Sequence, residues 1–163
     1  MAIPIDEFLA KPFSAFGNDL TDHLGNAATA KHSAQIAVKQ GRYNDAWTFF
    51  HLQKEHYMKH ASKCGFTKAQ TLALDASVHL DLANILRLEK RNIDALIHII
   101  YCNSVARVAE STKKKLIAYF KRSEFKNTPI SELYAFVRAA KKDPDFCAIQ
   151  EKVYEWERRN SPQ

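Results

Sequence analysis

The sequence predicts an all-α fold of five to seven helices, arranged as antiparallel helical hairpins. Three observations carry that expectation. Only four glycines and five prolines occur in 163 residues, too few turn formers for a sheet-rich chain. Apolar residues recur at three- and four-residue steps, as in Leu72, Ala76, Leu80, Ala83 and Leu86. The segment Lys39-Gln40-Gly41-Arg42-Tyr43-Asn44-Asp45-Ala46-Trp47-Thr48-Phe49-Phe50 ends one helix at a glycine and starts another with a small residue and aromatics.

The elements follow in order. Residues 1–25 form an N-terminal arm or short helix, with Phe8, Leu9, Phe13 and Phe16 between Pro4, Pro12 and Gly17. Asn18 and Asp19 are read as caps of a short turn ending at Gly25, and Asn26 as the cap of a helix over 27–40. Its small Ala30, Ser33 and Ala34 allow a neighbour to approach closely. Gly41 stops it, and a second helix over 43–63 carries Tyr43, Ala46, Trp47, Phe50 and Tyr57 before Gly65. Thr67 caps a third helix over 68–89. Asn92 opens a fourth, with Ile93, Leu96, Ile97 and Ile100, that either runs to Phe120 or breaks near Ser111-Thr112. Thr128-Pro129 and Asp143-Pro144 each place proline at a helix start. The tail frays after Arg159. The chain reads as one domain: the arm at 1–25, two hairpins at 26–110 and basic helices at 111–163.

Composition bounds the function. The net charge is +6, with 11 Lys/Arg against 10 Asp/Glu over 1–106 and 13 against 8 over 107–163. The basic excess therefore lies in the C-terminal third, where it serves solubility, an acidic partner or nucleic acid. Cys64, Cys102 and Cys147 are odd in number and widely spaced, which predicts free thiols and a cytoplasmic setting. Asp6 and Glu7 interrupt any leader-like start. The apolar run Ile97 to Cys102 contains His98 and is far short of the ~20 residues of a membrane span. The glycines are isolated, so no phosphate-binding loop exists, and no cofactor is expected.

The segment from Lys39 to Phe50 resembles the inter-helix turn and second helix of a tetratricopeptide repeat. Tyr43, Ala46 and Phe50 match that pattern, and Ala34 matches the small first-helix residue. A second match is Arg91-Asn92-Ile93-Asp94-Ala95 with Ile99 and Ala83. Ala46 and Ala95 lie 49 residues apart, against a family period of about 34. The resemblance implies a non-enzymatic interaction module that binds a partner protein segment. By that resemblance Lys31, Gln35 and Lys39 line its groove, suited to an acidic segment.

The same region also resembles the HEPN domains of higher eukaryotes and prokaryotes. Arg91 through His98 fits the arginine-to-histidine spacing of their ribonuclease members. That resemblance implies a dimer and an RNA site at Arg91 and His98. Arginine would hold a phosphate and histidine would manage the 2′-hydroxyl proton. A buried, hydrogen-bonded histidine is the other reading of His98.

Two further constellations stand out. His56, His60 and Cys64 fall at i, i+4 and i+8, with His51 and Glu55 on the adjacent face. That is either a metal face, with His56 and His60 as ligands, or a solvated helix face. Lys113, Lys114, Lys115, Lys121 and Arg122 surround Tyr119, Phe120 and Phe125. They read either as a single-strand nucleic-acid surface or as an amphipathic helix whose rings face the core.

Overall fold

A computed structural model describes residues 20–105 and 107–162. These form seven helices and no strand: α1 His23–Lys39, α2 Tyr43–Lys63, α3 Lys68–Leu88, α4 Asn92–Ser104, α5 Glu110–Arg122, α6 Ile130–Ala140 and α7 Phe146–Asn160. The expected arm at Phe8 to Phe16, and Asn18 and Asp19, lie outside the described residues.

Helix α1 starts three residues before its expected cap. Asp22 caps it, accepting from the Gly25 backbone N–H at 2.9 Å. Gly25 does not end a turn; it lies inside the helix. A Cβ there would come within 2.2 Å of the Asp22 carboxylate, so glycine keeps the cap open. Ala27, Ala30, Ala34 and Ala37 are all buried, and they let α1 pack closely on Ala46 and Phe50 of α2.

The turn at Gly41 has a left-handed backbone, φ 70°, with Arg42 N–H on Ala37 O at 2.9 Å. Helix α2 closes the same way at Gly65, with Phe66 N–H on Ala61 O at 2.9 Å. Thr67 then starts α3 through a capping box with Gln70. The turn from α3 to α4 repeats the first hairpin 49 residues on. Lys90 stands where Gly41 stood, at φ 61°, and Arg91 N–H bonds Leu86 O at 2.8 Å. Arg42 pairs with Asp45, and Arg91 pairs with Asp94. The second hairpin thus copies the geometry of the first without its glycine.

Helix α4 is the axis of the chain. Ala95 through Ser104 are buried, and the helix packs against α3, α5, α6 and α7. It ends at Ser104, seven residues before the earlier of the break points the sequence offered. Nothing in Val105 to Ala109 signals this. Asn103 spans the break instead, its side-chain amide donating to Ile99 O at 2.8 Å and Thr112 O at 3.3 Å. The last two helices start one to two residues beyond the expected prolines. Pro129 is the residue before α6, and Asp145 caps α7 on Cys147 and Ala148 N–H. Trp156 is fully buried and donates to Glu132 at 2.7 Å, and Arg159 pairs with Glu132 at 2.9 Å, which joins α7 to α6.

Candidate functional site

A cluster of interacting polar side chains lies where α2, α3, α4 and α7 meet, around a pocket of about 400 Å³. Buried α3 and α4 stripes bring His79 and His98 together, Nδ1 to Nδ1 at 2.8 Å. Lys54 of α2 reaches His79 Nε2 at 3.1 Å and Asp75 of α3 at 2.9 Å. The buried Tyr101 donates its hydroxyl to Asp75 at 2.7 Å. Trp47 and Phe146 pack their rings at 5.8 and 5.0 Å from the His98 ring. At the mouth stand His51, Arg91, Asp94, Gln150 and Tyr154, and Tyr154 donates to Asp94 at 2.9 Å.

His79 Nε2 lies between two partners, Lys54 Nζ at 3.1 Å, from which it can accept, and Asp75 Oδ2 at 3.5 Å, to which it can donate. At 2.8 Å, one hydrogen lies between His79 Nδ1 and His98 Nδ1. Burial first, and then the positive neighbours His79, His51, Lys54 and Arg91, hold His98 down to about 3. His98 is therefore neutral through the physiological range. Burial works against the charge on Asp75, but His79, Lys54 and Tyr101 around it more than offset this and keep its carboxyl well below the ordinary range. Burial and then the Asp75 bond push the Tyr101 hydroxyl up. Lys54 and Arg91 face Asp75 and Asp94, so the charged groups of the pocket balance.

The structure thus brings Arg91 and His98 to one pocket. Sequence reasoning missed Asp75, His79 and Lys54. The available signal was Asp75 and His79 at i, i+4, beside the otherwise apolar stripe of α3. Arg91 with Asp94 repeats Arg42 with Asp45, so that pair belongs to the turn as well as to the pocket.

The other expected residues lie elsewhere. Lys31 is half-buried and stands 4.0 Å from Asp81 of α3, while Gln35 and Lys39 are exposed on α1. His56 faces His23, ring centres 5.9 Å apart, whereas His60 lies against Phe66 and 3.7 Å from Cys64 Sγ. Among the described residues no group of three His, Cys, Asp or Glu is placed to hold a metal. Lys113, Lys114, Lys115, Lys121 and Arg122 are exposed on α5, but Tyr119 and Phe120 are buried in the core, and Phe125 packs on Phe120 and Trp156. The cysteines Cys64, Cys102 and Cys147 are free. No helix among the described residues is long and apolar enough to cross a membrane. Comparison with protein-family models, curated proteins and solved structures finds no match for this chain.

Proposed function

We propose that this chain is a non-enzymatic helical interaction module that binds an acidic segment of a partner protein. The observation that carries this reading is the second hairpin repeating the turn of the first. Lys31 of α1 stands 4.0 Å from Asp81 of α3, one ion pair between the first helices of the two hairpins. Stacked hairpins of this kind leave a face of first-helix residues for a peptide. Gln35 and Lys39 stand exposed there. The state of His98 supports the non-enzymatic half. Cleavage of RNA needs a group that takes up the 2′-hydroxyl proton near neutral pH. His98 is buried and held near 3, far below that range, with Nδ1 engaged by His79.

A second reading is an RNA-binding or ribonuclease site at Arg91 and His98. It is favoured by the one observation that both line the same pocket, with Lys54 and His51 beside them. Fluorescein-labelled single-stranded RNA and an acidic peptide, titrated in parallel, separate the two. The interaction reading expects the peptide to bind and the RNA to stay intact. RNA cleavage that disappears in His98→Ala would reverse the order.

A further inference from the structure

A different surface carries two cations, Arg138 and Lys141, with no ion pair among the described residues. Helices α5 and α6 each pack on α4, but they do not pack closely on each other. Between them is an open cleft of about 470 Å³. Its floor is apolar: Val108, Leu116, Ile117 and Val137, down to Asn103 of α4. Lys113, Arg138 and Lys141 stand on its rim, and no carboxylate lines it. Arg138 and Lys141 make no ion pair among the described residues, and Lys113 has only the exposed Glu110 at 3.4 Å. This is the reverse of the His79–His98 pocket, whose cations are matched by Asp75 and Asp94. The two sites share no lining residue.

The apolar floor continues outward along α6. Tyr134 is 42% exposed and Ile130 37%. Ile130, Tyr134, Val137 and Lys141 fall at i, i+4, i+7 and i+11, one stripe of a helix about 16 Å long. A cleft between two helices that pack on a third is the space a further helix fills. Its apolar face would cover Tyr134, Ile117 and Val108. Its flanks would carry carboxylates toward Lys113, Arg138 and Lys141.

We infer that the α5–α6 cleft seats an amphipathic, acid-flanked helix of a partner protein. This rests on the interaction reading and moves the principal contact from Lys31, Gln35 and Lys39 to the basic C-terminal third. Carboxylates that meet Arg138 and Lys141, unpaired among the described residues, over apolar surface gain both steering and burial.

The experiment uses a fluorescein-labelled synthetic peptide of about 18 residues, ~27 Å as a helix. Leucine occupies one face and glutamate the flanks, and a twin peptide replaces every glutamate with lysine. Binding is followed by anisotropy for the full chain and for three variants: Arg138→Glu/Lys141→Glu, Tyr134→Ser and Lys31→Glu/Lys39→Glu. Circular dichroism melts confirm that each folds. The expected result is that the glutamate peptide binds and the lysine twin does not. Arg138→Glu/Lys141→Glu and Tyr134→Ser each weaken binding about tenfold or more, while Lys31→Glu/Lys39→Glu changes little. Loss of binding in Lys31→Glu/Lys39→Glu alone would overturn the cleft and leave the interaction reading standing. Equal binding of the lysine twin, or equal binding by all variants, would overturn the cleft on charge or on place. A glutamate peptide that binds nothing, beside RNA that does bind, would overturn both.

Discussion

Replacing His98 with glutamine is expected to remove about 2 kcal/mol of acid sensitivity from the fold. In the unfolded chain His98 titrates near 6.5, and in the folded chain near 3. Its folded value lies below its unfolded value, so the unfolded state takes up a proton that the folded state refuses. Stability from this group is therefore complete above the unfolded value and drains away as the pH falls from 6.5 toward 3. Each pH unit inside that window costs about 1.4 kcal/mol. Integrated between pH 7.5 and 5.0, the loss is about 2 kcal/mol, because only the last 1.5 units fall inside the window. The physical causes are burial first and then the nearby positive groups. Urea unfolding of the wild-type chain and His98→Gln at both pH values measures it directly. Groups away from this pair contribute equally to both chains, so the difference of differences reports His98 together with its bond to His79. Glutamine is expected to show a smaller loss by about 2 kcal/mol, whatever its own stability. Parallel acid curves for the two proteins would refute the buried, neutral His98 and with it the argument against catalysis.

Other perturbations follow from the same geometry. Asp75→Ala removes the common partner of Lys54 and Tyr101, and is expected to cost about 2–4 kcal/mol in urea unfolding at neutral pH. Because the Asp75 carboxyl is held below its ordinary 3.8, that gap is present above this value and closes as the pH falls through it. Gln53 is 1% exposed and its side-chain oxygen has no hydrogen-bond partner among the described residues, so Gln53→Met is expected to stabilise by about 1 kcal/mol, read as a higher urea midpoint. Lys90→Gly relieves a left-handed backbone at the α3–α4 turn and is expected to gain roughly 0.5–1 kcal/mol by thermal melting.

Much of the fold was legible because its punctuation is chemical. Gly41 and Gly65 sit at positive φ where helices close, and Thr67 forms the capping box its sequence announces. Legibility failed where tertiary contacts decide. Lys90 adopts a glycine's conformation because the hairpin around it repeats the first one. The end of α4 has no glycine or proline, and the Asn103 amide that bridges it reads as an ordinary helical residue. At the pocket, Arg91 and His98 share one stretch of chain and were visible as a spacing. Lys54, Asp75 and His79 come from two other helices, and only packing brings them there. The basic run Lys113 to Lys115 was visible, but its aromatic neighbours turn into the core. The apolar floor beside Lys113 is built with α6, from residues about 20 positions further on.

The most direct test of the account is a chemical-shift titration of the isotope-labelled chain with the glutamate-flanked peptide and then with single-stranded RNA. The account predicts saturable shifts with the peptide at Ile117, Tyr134 and Arg138, while Trp47, Ile97 and Tyr154 stay in place with either ligand. Shifts on RNA addition gathered at Trp47, Ile97 and Tyr154, with none from the peptide, would contradict it.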